Sequence, residues 1–149
     1  MAEDHLYWAI VHERWMDDAN FAKGPIAFFR RVPAPIRPVV TMMIRRKVRY
    51  ALHGHGLGRH SAEDIAYLGT RSVEAIADFL AAKPFFMGNE PTGVDATMFA
   101  FAAGALCPVF ESPLRTAAER RDNLKRYVGR MTARYYAELG EVAGCKAAA

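Results

Sequence analysis

Apolar and polar positions follow helical spacings along almost the whole of this chain. The most telling stretch is Phe85 to Leu106, FFMGNEPTGVDATMFAFAAGAL. Met87-Gly88-Asn89-Glu90-Pro91 collects residues that break regular structure. Thr92 follows, with Asp95 three residues later, which is the spacing of a capping box. The Thr92 hydroxyl is placed to accept from the Asp95 N–H. The Asp95 carboxylate is placed to reach back to the Thr92 N–H, at the positive end of the helix dipole. From Ala96 to Leu106 the residues are apolar on nearly every side, and many are small. A helix without a polar face is expected to be a buried central helix, because spanning a bilayer takes about 20 apolar residues.

Upstream, Asp4 to Asn20 predicts a first helix. Its run from Leu6 to Val11, extended by Trp15, Met16 and Ala19, is too wide for a single stripe and requires cover on more than one side. Its aromatics Tyr7, Trp8 and Trp15 read first as core. Asn20 to Pro38 is an irregular connection broken by Gly24-Pro25, Pro33, Pro35 and Pro38, with Phe28 and Phe29 expected to plug onto the core. Val39 to Leu52 predicts an amphipathic helix. Val40, Ile44, Val48 and Leu52 recur every fourth residue, and Arg45, Arg46 and Arg49 fall on other faces.

His53 to His60 reads as a flexible, glycine-rich link. Its three histidines have no carboxylate or cysteine beside them, so no metal site is expected. The glycine spacing fails as a dinucleotide loop because no strand precedes it. Ser61 with Asp64 caps the next helix, whose expected buried stripe is Ile65, Leu68, Ser72, Ile76 and Phe79, widened by Leu80. Lys83-Pro84 ends it. Cys107-Pro108 closes the central helix, and Ser112-Pro113 opens another. Leu124, Val128 and Met131, with Tyr127 and Tyr135, form the apolar side of a final helix ending near Leu139-Gly140. Residues 140–149 are expected to be a frayed tail. The prediction is an all-α bundle of five to six helices around a buried central helix. It is one domain over 1–149, with its core in 4–139.

Composition changes this picture little. A chain of 149 residues, 52% apolar and 24% charged, suits one compact domain. Cys107 and Cys145 are far apart with no CxxC, which points to reduced thiols. No signal-peptide pattern opens the chain, and a cytoplasmic protein is expected. Charge is less even. Ala19 to Ala62 holds nine Lys or Arg residues and no Asp or Glu; as the whole chain is +4, the remainder is about five charges negative. This basic middle reads as a solvated face. No stacking platform accompanies it, so nucleic acid is not an expected partner. A basic amphipathic helix more often packs on its own core than on lipid, so membrane contact is not expected either.

The order of these elements resembles a known family. FFMGNEPTGVDATMFA is similar to the start of the central helix in the C-terminal domain of glutathione transferases. LYWAIVHERWMDDANF, HGLGRHSAEDI and SPL followed by NLKRYVGRMTARYY resemble the branch containing metaxins and the failed-axon-connections protein. The resemblance covers roughly Asp4 to Leu139 and implies a structural capping role for Thr92 and Asp95. In that family a thioredoxin-like domain holds glutathione, the co-substrate, together with the group that activates its sulfur. No such domain is legible here, so no catalytic residue is carried over and no cofactor is expected in this chain.

The resemblance further implies that the first helix faces a thioredoxin-like domain and walls the pocket for a hydrophobic co-substrate. Tyr7, Val11 and Trp15, at four-residue spacing, and Trp8 are the candidates for that wall, with the Tyr7 hydroxyl as the polar handle. The implied partner is a thioredoxin-like domain or another protein against the first helix, and a homodimer is compatible with it. The alternative is a non-catalytic interaction module of the metaxin kind.

Overall fold

A computed structural model describes residues 2–137, and these are helical with short connections. A π-helical turn, Ala2–Leu6, leads into α1 (Tyr7–Met16) and α2 (Asp18–Lys23). A 3-10 turn, Pro25–Phe29, precedes α3 (Arg37–His55), and a second, Leu57–Arg59, precedes α4 (Ala62–Leu80). Then come α5 (Gly93–Ala105), α6 (Pro113–Glu119) and α7 (Asp122–Tyr135). The architecture is therefore all-α, and the described residues contain no strand beyond a single bridge between Phe85 and Gly88. The expected tail, 140–149, and the expected end of the last helix near Leu139 lie outside the described residues.

Among the described residues seven α-helices replace the expected five or six, because the first one breaks. Asp17 takes an extended conformation (ψ 126°), and its Oδ1 accepts the Asn20 N–H at 2.7 Å, which caps α2. Side-chain competition of this kind is what makes aspartate a helix starter and a poor helix interior. Asn20 is itself buried. Its Nδ2 donates to the Glu111 carbonyl at 2.9 Å, and its Oδ1 accepts the Glu111 N–H at 3.1 Å, tying α2 to the start of α6.

The deepest helix is α4, not the capped α5. Ile65, Gly69, Ser72, Val73, Ile76, Ala77 and Leu80 are all buried on α4, which packs against α1, α6 and α7. Gly69 permits that closeness: a Cβ there would lie 2.8 Å from both the Ala9 Cβ and a Leu114 methyl. The α4 cap forms as expected, with Ser61 Oγ accepting the Asp64 N–H at 3.1 Å. Two stripe residues depart from expectation. Phe79 is 58% exposed, stacked across Phe86 under Lys83, and Tyr135 is also exposed. Each sits in the last turn of its helix, and for Phe79 the cover that remains comes from Phe86 and Lys83. Of the two phenylalanines in the connection, Phe29 plugs the core and Phe28 stands in solvent.

The glycine-rich link is mostly ordered helix. α3 runs through His55, Gly56 stops it at φ 109°, and Leu57 inserts into the core. Gly58 passes so close that a Cβ would sit 2.6 Å from the Leu52 carbonyl carbon and 2.7 Å from the His53 nitrogen. Those are backbone atoms and cannot swing aside. Gly58→Ala is expected to destabilise the protein by about 1–3 kcal/mol, read as a lower urea midpoint at unchanged slope.

Candidate functional site

Two features define the region of interest: the start of α5 and the outer side of α1. At the first, Thr92 and Asp95 form a capping box in which the carboxylate does most of the bonding. Asp95 Oδ2 accepts the Thr92 N–H at 2.8 Å and its hydroxyl at 3.1 Å, while Oδ1 accepts the Phe86 N–H at 2.9 Å. Asp95 therefore fastens the Phe85–Gly88 turn to the helix as well as capping it. The Tyr127 hydroxyl donates to the Asp95 carbonyl at 2.9 Å, which adds α7 to the same point. Asp95 has no exposed surface. Burial alone would raise its pKa. The N–H groups of Phe86 and Thr92, the Thr92 hydroxyl and Tyr127 outweigh it and hold the carboxyl below its ordinary value.

Behind this cap α5 is only partly covered. Asp95, Ala102 and Ala105 are buried, whereas Ala96, Thr97 and Ala100 are exposed and Ala103 is half-covered. The expectation of burial on all sides is thus not met within the described residues. Chain neighbours reach α5 from two directions. Phe99 stacks on Tyr136 at 5.2 Å, and Arg14 of α1 donates to the Gly104 carbonyl at 2.8 Å. The small Gly104 lets Ile10 and Arg14 approach to 3.7 Å from where a Cβ would be.

On α1 the four wall candidates are brought to one helix but not into one enclosed pocket. Ala9 is its fully buried residue. Tyr7 is 48% exposed, and Trp8, Val11 and Trp15 are half-buried. Trp8 stacks on His55 with centroids 4.6 Å apart, and Tyr7 meets Trp8 edge-on at 5.2 Å. Trp15 leans towards the connection, against Phe21 and Phe28. Tyr7 and Val11 therefore form the crest of a partly covered apolar surface, flanked by α5 on one side and α3 on the other.

Sequence reasoning passed over Glu13 and Arg14. The Arg14 guanidinium lies 4.5 Å over the Phe110 ring as well as on Gly104. Glu13 turns inward against the Ser112 hydroxyl and the Leu114 N–H at the start of α6, and its Oε1 has no hydrogen-bond partner. Burial pushes its carboxyl up to about 7, against the opposing pull of Ser112, Leu114 and Arg14. The signal available was an acid–base pair inside an apolar run, where a solvated charge is hard to place. Among the described residues no group of three or more His, Cys, Asp or Glu is arranged to hold a metal, and no helix is long and apolar enough to cross a membrane.

Residues 69–131, from within α4 through most of α7, match the family model described as glutathione S-transferase, C-terminal domain. Over that span, 63 of the 149 residues, the chain is similar to this domain. It is 32% identical over 101 residues to the isoprene-epoxide–glutathione S-transferase of Rhodococcus sp. (strain AD45), an alignment covering 66% of this chain and 42% of that protein. It is 29% identical over 154 aligned positions to Failed axon connections of Drosophila melanogaster, covering 95% of this chain and 37% of the relative. The chain thus spans about two fifths of the length of these relatives. No solved structure gives a match.

Proposed function

We propose that this chain acts as the helical half of a glutathione transferase-like assembly, in which the outer side of α1 forms the hydrophobic co-substrate wall. A thioredoxin-like domain would cover α1 and the open side of α5, bind glutathione and lower its thiol pKa for attack on an apolar electrophile. Tyr7, Trp8, Val11 and Trp15 would pack against that electrophile, with the Tyr7 hydroxyl as the polar contact. The carrying observation is an apolar crest at Tyr7 and Val11 beside a capped helix that leaves Ala96, Thr97 and Ala100 in solvent. The chemistry named for the Rhodococcus relative, an epoxide and glutathione, supports an apolar epoxide as the first electrophile to try.

The test supplies a glutathione-binding thioredoxin-like domain in trans and follows conjugation. The chain alone is expected to be inactive and the mixture active. Tyr7→Ala and Val11→Ala should raise KM for the electrophile about fivefold or more while leaving that for glutathione unchanged. Conjugation by the pure chain at the rate of the mixture would refute this reading.

One observation favours a second reading: the likeness to Failed axon connections extends over 95% of this chain. In that reading the same crest holds a protein partner and no sulfur chemistry takes place. Partner binding abolished by Trp8→Ala with Trp15→Ala, and no conjugation in any mixture, would select it.

A further inference from the structure

The flank of α3 beside the preceding 3-10 turn carries features that the reading above leaves unused. Pro38, Thr41, Met42, Arg45 and Arg49 line up along it at spacings of three or four residues. With Ile26 of the preceding 3-10 turn they line one recess. Met42, Met43 and Tyr50 line it too and are more than half exposed. From Pro38 to Arg49 the helix advances about 16 Å, or three turns.

The cations around the recess fall into two sets. Arg45 is committed to the fold: it pairs with Asp18 at 2.7 Å and donates to the carbonyls of Trp15 and Met16. Arg46 donates to the Tyr50 hydroxyl at 2.9 Å and has no carboxylate partner among the described residues. Arg49, which also lines the recess, makes no ion pair among them either. No acid occurs between Ala19 and Ala62, and the nearby Asp18 is already paired with Arg45. The apolar floor loses free energy to water, and the rim concentrates positive potential over it.

We infer that this recess is a docking groove for an amphipathic helix of another protein, apolar on one face and flanked by carboxylates. Apolar residues at i, i+3/i+4 and i+7 would fill the floor against Ile26, Pro38 and Met42, whose flexible thioether adapts to varied shapes. Flanking Asp or Glu would meet Arg46 and Arg49 in charge-assisted hydrogen bonds. The same charge argues against a second copy of this chain offering the same face, since two basic surfaces would oppose each other. A bilayer is planar and leaves a recess between two elements unfilled. Nucleic acid would meet a floor of Ile, Pro and Met with no stacking platform.

The test titrates the full chain with a helical peptide of about fifteen residues, leucine on one face and glutamate beside it. A scrambled peptide of equal composition and vesicles of phosphatidylcholine with about one-third phosphatidylserine are titrated in parallel. The ordered peptide is expected to bind about tenfold or more tighter than the scramble, with NMR shifts concentrated between Pro38 and Tyr50. Arg46→Glu with Arg49→Glu, and separately Met42→Asp, should each weaken binding about tenfold. These residues are exposed, so circular dichroism and the urea midpoint should hold. Equal binding of the scramble, undiminished binding by either variant, shifts centred elsewhere, or stronger capture by the vesicles would each overturn the inference.

Discussion

Asp95→Ala is expected to destabilise the protein by about 3 kcal/mol, measured as a fall in the urea midpoint with the slope unchanged. The substitution removes a helix cap, which costs about 1 kcal/mol. It also strands the N–H groups of Phe86 and Thr92, whose acceptors are the two oxygens of that carboxylate. A buried donor left without a partner costs about 1–3 kcal/mol. For a domain with a total stability of about 5–15 kcal/mol this is a large fraction. Asp95→Asn keeps one acceptor oxygen and should lose about half as much. Tyr127→Phe, which removes only the hydroxyl bonded to the Asp95 carbonyl, should cost about 1 kcal/mol. A wild-type midpoint in Asp95→Ala would mean that the turn and the helix are not joined through this side chain.

Glu13→Gln is expected to do the opposite and stabilise the protein at neutral pH. The Glu13 carboxyl is pushed up to about 7 by burial, so its charged form is disfavoured in the folded state. The folded chain then binds a proton more tightly than the unfolded chain between the ordinary glutamate value and about pH 7. Stability therefore falls as pH rises through that window and levels off above it. A shift of this size corresponds to about 3 kcal/mol. Glutamine carries no charge to desolvate and keeps an acceptor for the Leu114 N–H. The variant should gain about 1–3 kcal/mol at pH 8 and match the wild type within about 0.5 kcal/mol at pH 4. Equal stability at pH 8 would show that the carboxylate finds water or a cation there.

These two carboxyls give the protein a pH profile with two distinct limbs. Asp95 is held low, so its contribution is present above the ordinary aspartate value and is lost as pH falls through the folded one. Glu13 erodes stability on the other side, as pH rises towards 7. The Asp95→Asn variant should flatten the acid limb, and Glu13→Gln should flatten the neutral one.

Local signals in the chain foretold local structure. The Ser61–Asp64 and Thr92–Asp95 caps, the proline that opens α6 and the fourfold spacing of α3 each act over three or four residues, so they needed no knowledge of the rest of the fold. The same is true of Asp17, whose cap on Asn20 was written in MDDAN and was missed beneath a continuous apolar pattern. The all-helical class and the order of the elements follow from such signals, because helix hydrogen bonds close within one turn.

Which helical faces are covered was decided only in three dimensions. α5 is apolar nearly all round yet leaves Ala96, Thr97 and Ala100 in solvent, while α4 with its mixed pattern lies deepest. The stack of Trp8 on His55, the Arg14 bond to Gly104, the Asn20 bonds to Glu111 and the burial of Glu13 join residues roughly 50 to 100 positions apart. Burial is a property of what packs opposite. A residue's own periodicity states the direction in which it points, and only the neighbouring helices determine what it meets there.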